Sequence, residues 1–226
     1  MRARVCGIIH HMDKAAQLKG LEEEIAADAA LPLRGAANLV FGEGDIDCRV
    51  MFIGEAPGVN EDRLRRPFVG RGGQLLDDMI RGLGWQRAGT YITNIVKRRP
   101  PENRDPLPEE IEAYKPYLTR QIAIIDPPLI VTLGRFSMNY FLPYAKITRD
   151  HGRAMRIDGR IIYPVYHPAA ALRSTEMMKV LRADFMRIPA VLSGELAAEL
   201  PPAFVDHLPP ARTAHTKEKP PQAGLF

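Results

Sequence analysis

The sequence predicts an α/β fold in which helices cover both faces of a parallel sheet. Short apolar or β-branched runs alternate along the chain with longer segments of helical periodicity, and this alternation is typical of parallel sheets. Each of these runs ends at or near a glycine, an asparagine or a histidine. Ligands of such folds bind beyond the carboxyl ends of the strands, so these residues are the first candidates for a functional site.

The elements are predicted from periodicity and from their boundary residues. Helix 12–30 is rich in alanine, leucine, glutamate and lysine, which favour helices. Strand 90–96 (TYITNIV) is β-branched and aromatic, and Pro164 is unfavourable inside the last strand. The predicted strands are 49–53, 90–96, 129–133 and 161–166. The predicted helices are 12–30, 72–83, 107–125, 135–141 and 174–192.

Composition indicates one folded domain followed by a tail. The 226 residues are 46% hydrophobic and 26% charged, which are ordinary globular values. From residue 193 the chain becomes rich in proline, alanine and charge, so we expect domain 1–192 and a flexible tail 193–226. No apolar run approaches the roughly 20 residues that span a bilayer, and Met1–His11 lacks the features of a signal peptide. We expect a cytoplasmic, monomeric protein without a membrane partner.

Positive charge is modest overall but falls in three loops predicted at one sheet edge. The net charge of +4 suits a polyanion partner and equally an ordinary basic protein. A charged run is usually a solvated face, yet three converging runs favour phosphate contacts. Leu172 also lies in a loop from which it could wedge into a base stack. The candidate DNA contacts are Arg65, Arg66, Arg71, Lys97, Arg98, Arg99, Leu172 and Arg173.

Two cysteines, Cys6 and Cys48, are present. Two thiols cannot complete a four-cysteine zinc or iron–sulfur site, and a disulfide is disfavoured in a reducing compartment. Cys48 directly precedes a predicted strand, so we interpret it as a buried or half-buried, inert thiol.

The first candidate site segment is the turn Gly54-Glu55-Ala56-Pro57-Gly58 after strand 49–53. Its glycines allow close backbone approach to a ligand, and its carboxylate lies inside the turn. A glycine- and proline-containing turn with an acid also occurs without any function. The following segment adds Glu61 and then Phe68 in a loop rich in glycine and arginine, which strengthens the functional interpretation.

Asn94 lies near the end of predicted strand 90–96, and His167 follows predicted strand 161–166. Asn94 offers a planar donor and acceptor pair that matches the N3–H and O4 of uracil, although asparagine at a strand end is often only a turn former. Cytosine presents the opposite polarity, so an amide held in one orientation would reject it. His167 could donate a hydrogen bond to a developing anion; a histidine before proline also has a common structural role.

Six segments then occur in a characteristic order: GEAPG, ED, RPFVG, TNIVKRRPPENRDP, VTLGR and HPAAALR. Over about residues 20–190 the chain resembles the family 4 uracil-DNA glycosylases. The resemblance implies a three-layer α/β/α sandwich with a central four-stranded parallel sheet. It also implies an enzyme that flips uracil out of single-stranded or double-stranded DNA and hydrolyses the N-glycosidic bond, leaving an abasic site.

The resemblance also implies residue roles. Glu55 would lie beside the sugar and position water, and Phe68 would stack on uracil. Asn94 would bind the uracil edge, and His167 would donate to O2 as the base leaves. Glu61 matches a second acid whose role the resemblance leaves open.

The chain departs from this family at the iron–sulfur cluster. The resemblance places the four cluster cysteines at Ala27, Ala30, Arg98 and Tyr114, and all four are replaced, so we predict no cofactor and no metal. Arg65 stands where the family usually has glycine. A basic insertion that carries a covalently reacting histidine in a relative is absent after Asn94, so we predict a monofunctional enzyme.

Two alternatives remain at this level: a non-catalytic binder of uracil-containing or damaged DNA, and a glycosylase for another deaminated base such as hypoxanthine. The last five residues, QAGLF, resemble a bacterial sliding-clamp-binding peptide, with Gln222 as the polar contact and Leu225 and Phe226 as the apolar anchor. We therefore expect the bacterial clamp as a partner and a location with the chromosome.

Overall fold

The centre of the fold is a six-stranded sheet. A computed structural model describes residues 2–199 of the chain, with side chains from residue 13 onward. The strand order is β1-β3-β2-β4-β6-β5. The strands are β1 (Glu43–Gly44), β2 (Val50–Gly54), β3 (Tyr91–Asn94), β4 (Leu129–Leu133), β5 (Met155–Ile157) and β6 (Arg160–Val165).

The four central strands are parallel, since β2 pairs in parallel with β3 and β4, and β4 with β6. These are the four strands that the sequence predicts. The sheet has two further strands, because β1 and β5 add antiparallel edges to β3 and β6. At two and three residues, these edge strands are too short to show a period-2 pattern. The four-strand count is therefore corrected to six.

Helices pack on both faces of the sheet. They are α1 (Arg2–Ala27), α2 (Val59–Leu64), α3 (Arg71–Gly82), α4 (Pro108–Ile125), α5 (Arg135–Phe141), α6 (Ile147–Asp150), α7 (Pro168–Ala171) and α8 (Thr175–Ser193). Short 3-10 turns cover Arg87–Gly89 and Pro101–Asn103. No described helix is long and apolar enough to cross a membrane.

Strand β2 shows how the three layers are held together. Successive side chains of a strand point to opposite faces, so Met51 and Ile53 join one core with α1, α4 and α5. Val50 and Phe52 join the second core with α3 and α8, where Phe52 stacks on Phe185 with ring centroids 5.8 Å apart. The α/β/α sandwich follows from this double burial.

Pro164 is accommodated inside β6 because of where its neighbour ends. Strand β5 pairs with β6 only from Arg160 to Ile162, so the missing N–H of Pro164 lies beyond that edge pairing. The Pro164 carbonyl instead accepts a hydrogen bond from Gly152 N at 2.8 Å. Proline is tolerated in strands where its N–H is not required.

The folded part of the chain continues past the predicted boundary at residue 192. Helix α8 ends at Ser193, and Gly194 follows in the left-handed conformation with φ 84°. Glu199 then exchanges two backbone hydrogen bonds of 2.8 Å with Ala154 and Arg156. Residues 194–199 therefore belong to the folded unit, and the remainder of the predicted tail lies outside the described residues.

Cys48 is 5% exposed, and burial raises the pKa of its thiol to about 12. A thiol with so high a pKa is a poor nucleophile, in agreement with an inert cysteine. Cys6 lies outside the residues whose side chains are described.

Candidate active site

A cavity of about 520 Å³ opens at the carboxyl edge of the parallel strands. The loop after β2, the start of α3, the end of β3 and the segment after β6 form its walls. Residues predicted for the site that line it are Glu55, Ala56, Pro57, Gly58, Glu61, Phe68, Arg71, Asn94, His167 and Arg173. Lining residues that the sequence reasoning missed include Val59, Asn60, Asn103, Arg104 and Ala169. Asn103 and Arg104 lie within the TNIVKRRPPENRDP segment, which is where they could have been found.

Gly54 ends β2 directly beneath this cavity. A side chain there would place its Cβ 2.5 Å from Oδ1 of Asn94 and in overlap with the Phe68 ring. Only glycine leaves room for both groups at once, since a Cβ is not tolerated at such distances. Gly54 therefore sets the closest approach of the aromatic ring and the amide.

The loop that carries Phe68 is tightly held. Phe68 has φ 51°, a left-handed conformation that bulky residues adopt rarely. Glu61 accepts hydrogen bonds from Val69 N at 2.9 Å and Gly70 N at 2.7 Å. Glu61, whose role the resemblance leaves open, therefore fixes the loop beside the ring.

Asn94 is 1% exposed, and no described hydrogen bond reaches its buried Oδ1. A buried acceptor without a donor typically costs about 1–3 kcal/mol. Because Asn94 lines the cavity, a bound ligand with an N–H group can supply that donor. The residue is thus an orphan acceptor built into the pocket.

His167 is the N-cap residue of α7 and lines the same pocket. Its Nδ1 accepts a hydrogen bond from Ala169 N at 3.1 Å, which places the ring proton on Nε2. Burial lowers the pKa of His167 to about 4, with Glu61 opposing the shift, so the imidazole is neutral near pH 7. Its ring centroid lies 5.8 Å from that of Phe68. The site therefore holds a neutral, oriented N–H donor beside an aromatic ring.

Glu55 is a second acid that lines the pocket, besides Glu61. Burial raises the pKa of its carboxyl to about 7; nearby Asp105 adds to the increase and Arg135 opposes it. Asp105 and Arg135 form an ion pair with each other. Asp105 lies in the segment TNIVKRRPPENRDP, and Arg135 lies in VTLGR. No sequence pattern indicates that they influence the pKa of Glu55, because they approach it only in the folded structure.

Two of the predicted DNA contacts are wrong. Lys97 is 0% exposed and Arg98 is 4% exposed, whereas a phosphate contact requires a side chain at the surface. Lys97 Nζ donates to Thr93 Oγ1, to the Asn94 carbonyl and to Gln121 Oε1 at 2.6–2.9 Å. Burial lowers the pKa of Lys97. The Lys97 side chain supports the backbone of Asn94 from inside the protein.

The other basic candidates stay near the surface. Arg71 and Arg173 line the mouth of the cavity, and Leu172 beside them is 37% exposed. Arg65 is exposed and left-handed, with φ 54°. Arg66 makes a two-point ion pair with Glu43 at 2.7 and 3.0 Å, and Arg99 donates to Asn103 Oδ1 at 2.7 Å.

The positions that the resemblance assigns to an iron–sulfur cluster do not fit one. They hold Ala27, Ala30, Arg98 and Tyr114, none of which supplies the thiolate that such clusters require. Arg98 Nη1 donates to the Tyr114 hydroxyl at 3.0 Å, and this hydroxyl donates to the Pro32 carbonyl at 2.8 Å. Hydrogen bonds thus connect the loop after β3, helix α4 and the segment after α1.

We expect Tyr114→Phe to lower the free energy of unfolding by about 1–3 kcal/mol, because it removes one hydrogen-bond partner of the buried Arg98 guanidinium and one of the partly buried Pro32 carbonyl. Tyr144→Phe is the matched control, since Tyr144 is 75% exposed, and should change stability by less than about 0.5 kcal/mol. Urea denaturation measures both. Equal midpoints for Tyr114→Phe and wild type would show that this bridge contributes nothing.

This chain is similar in sequence to proteins of one family. The family model described as the uracil DNA glycosylase superfamily matches residues 41–187. A type-4 uracil-DNA glycosylase of Sulfurisphaera tokodaii is 43% identical over 189 residues, covering 78% of this chain and 84% of that protein. The Saccharolobus solfataricus relative of the same name is 44% identical, covering 70% and 78%. The Thermotoga maritima one is 39% identical, covering 77% and 94%.

The matched residues 41–187 contain β1 to β6 and all of the pocket residues described above. Family match, fold and pocket lead to the same conclusion: the chain belongs to the uracil-DNA glycosylase superfamily.

Proposed function

We propose that this protein is a monofunctional uracil-DNA glycosylase that flips uracil out of DNA and hydrolyses its N-glycosidic bond. The observation that carries this proposal is the pairing of an orphan acceptor and an oriented donor in one cavity. Asn94 offers a buried Oδ1 without a partner, and His167 offers Nε2–H. Names of the relatives support the same activity.

Uracil suits the Asn94 amide. Its N3–H would donate to Oδ1, and its O4 would accept from Nδ2. Cytosine presents a lone pair at N3 and an amino group at C4, so both contacts would become repulsive or unpaired. The Phe68 ring would stack against the base on one side.

The chemistry requires opposite charges at two places. Bond cleavage leaves an oxocarbenium-like sugar and a uracil anion. His167 Nε2–H would stabilise the anion at O2 without giving up its proton. The Glu55 carboxylate would stabilise the sugar cation and orient a water molecule, whose oxygen bonds to C1′ and whose proton balances the released uracil.

The base must leave the helix before it can enter the cavity. Unstacking and unpairing cost a few kcal/mol, and least in single strands or at mismatches. Arg71 and Arg173 at the cavity mouth would contact phosphates, and exposed Leu172 would fill the gap in the base stack. We therefore expect faster excision from single-stranded and U:G DNA than from U:A pairs.

The pH dependence of excision should report the ionisation of Glu55. Since its pKa is about 7 and the anion is the active form, single-turnover rates should fall roughly tenfold per pH unit below pH 7 and level off above it. His167, with a pKa of about 4, should add no step above pH 5. Rates measured from pH 5 to 9 test this, and a flat profile for wild type would contradict it. Glu55→Gln should give the flat profile instead.

Excision assays decide between this function and its alternatives. Purified protein is incubated with oligonucleotides containing uracil (single-stranded, U:G and U:A), hypoxanthine or a T:G mismatch, and Asn94→Ala is run in parallel. Abasic sites from uracil alone, reduced at least about tenfold by Asn94→Ala, support the proposal. Tight binding without product would favour a non-catalytic binder, and product from hypoxanthine would change the base assignment.

We also propose that the enzyme works without an iron–sulfur cluster, because the positions concerned supply no thiolate. Excision should survive treatment with an iron chelator. The iron content of the purified protein, measured by atomic emission, should be far below one ion per chain. Stoichiometric iron that the chelator removes together with activity would overturn this part of the proposal.

The C-terminal peptide is proposed to bind a bacterial sliding clamp. Gln222, Leu225 and Phe226 lie outside the described residues, so the support is the sequence pattern alone. Titration of a purified clamp with wild type and with the Leu225→Ala, Phe226→Ala variant tests it. Equal affinities would remove the hypothesis, whereas a loss confined to clamp binding, with excision from short oligonucleotides unchanged, would support it.

A further inference from the structure

Arg87 is a hydrogen-bonding hub outside the cavity and outside every motif identified in the sequence. It begins the 3-10 turn before β3, and its side chain is 21% exposed. Its guanidinium donates to two backbone carbonyls, Pro67 O at 2.6 Å and Phe68 O at 3.2 Å. We infer that Arg87 is a positioning residue that holds the Phe68 ring at the distance from Asn94 which a flat pyrimidine requires. This inference rests on the proposed function.

The Phe68 loop needs to be held by other residues because its conformation is unfavourable by itself. Phe68 is left-handed, and strained residues persist only when their surroundings fix them. Glu61 holds the amide side of the loop through Val69 and Gly70. Arg87 holds the carbonyl side through Pro67 and Phe68. Hydrogen bonds therefore hold the backbone on both sides of Phe68.

The Arg87 guanidinium is itself fixed by two carboxylates. Nε and Nη2 donate to Glu43 Oε1 at 3.1 and 2.8 Å, and Nη1 donates to Asp77 Oδ1 at 2.7 Å. A planar guanidinium can serve two carbonyls and two carboxylates at once, because its five N–H groups have a fixed geometry. A lysine ammonium has three donors and cannot reproduce this arrangement.

The position of Arg87 in the chain links it to both the Phe68 ring and the Asn94 amide. The segment that begins with Arg87 continues directly into β3, which ends at Asn94. The two sides of the pocket, the ring and the amide, are therefore tied to one short stretch of backbone. The Phe68 ring and the Asn94 amide both pack so closely on Gly54 that a Cβ there would overlap them. A shift of the Phe68 backbone would therefore change the distance between the ring and the amide directly.

A double-mutant cycle tests the inference. We expect Arg87→Met to raise KM for uracil-containing single-stranded DNA and the inhibition constant of free uracil by about tenfold each, with a smaller change in kcat, because stacking acts on bound base before and during the reaction. Phe68→Ala should do the same. If Arg87 acts through Phe68, the double variant should be within about twofold of Phe68→Ala.

Controls separate positioning from folding. Arg87→Lys should give an intermediate inhibition constant, since it keeps the charge and some of the donors. Arg81→Met removes an exposed arginine of α3, 70% accessible, and should leave both constants unchanged. If Arg87→Met does not fold, as judged by its thermal transition, the cycle is completed with Arg87→Lys and with Asp77→Asn.

The outcomes are distinguishable from failure of the proposed function. Wild type that excises no uracil overturns the function, and the cycle then applies to free-uracil affinity measured by calorimetry. Two results would overturn the positioning role. One is that the effects of Arg87→Met and Phe68→Ala multiply in the double variant, and the other is that Arg87→Met has wild-type constants.

Discussion

Replacing His167 with alanine is expected to lower kcat for uracil excision by about 10²–10³-fold, the usual effect of removing one oriented donor to a developing anion. The structure gives the reason. His167 Nδ1 accepts a hydrogen bond from Ala169 N–H, so the single ring proton lies on Nε2. Burial lowers the pKa of His167 to about 4, which keeps the imidazole neutral. Single-turnover excision from uracil-containing single strands measures the change. KM should change much less than kcat.

His167 also caps α7 through Nδ1, so stability must be separated from chemistry. His167→Asn is the control, because asparagine is a good N-cap but its shorter side chain cannot place an N–H where Nε2 lies. It should keep the wild-type melting temperature and lose kcat as alanine does. An alanine variant within about threefold of wild type would show that the donor to the leaving base is another group.

Gly54→Ala is expected to reduce kcat/KM by at least about 10²-fold, since displacements of the order of 1 Å in a reacting site have effects of this size. The added Cβ would lie 2.5 Å from Oδ1 of Asn94 and would overlap the Phe68 ring. One of the two groups must move, and uracil then loses either its edge contact or its stacking surface. Steady-state excision and free-uracil inhibition measure the effect.

Gly20→Ala is the matched glycine control. It adds the same methyl group in helix α1, where nothing lies within 4 Å of the new Cβ, and alanine favours helices. Its activity should equal that of wild type and its stability should not fall. Wild-type activity in Gly54→Ala would mean that the distance between ring and amide is adjustable, which would also weaken the role assigned to Arg87.

Local pattern was sufficient for the central elements of the fold. The apolar run before Gly54 and the β-branched and aromatic run 90–96 predicted β2 and β3 within about two residues of their observed ends, because strands buried on both faces of a parallel sheet are rich in such residues. The edge strands were not predictable in this way. Their residues pair because the chain brings them to an existing edge, and two or three residues show no periodicity.

Charge pattern was a poor guide to location. Lys97-Arg98-Arg99 resembles a solvated basic run, yet the first two side chains are buried. Their partners are Gln121 and Tyr114, which are 24 and 16 residues away along the chain. Burial of a cation is possible only where enough acceptors meet it, and no local window contains that information.

The sequence by itself determined the α/β class, the four parallel strands and the gathering of Glu55, Asn94 and His167 at one edge, because parallel strands necessarily present their carboxyl ends together. Tertiary structure alone decided the tautomer of His167, the raised pKa of Glu55, the burial of Lys97 and Arg98, and the grip of Arg87 on the Phe68 loop. Each of these depends on hydrogen bonds or on desolvation between residues distant in the chain, and such contacts exist only once the layers have packed.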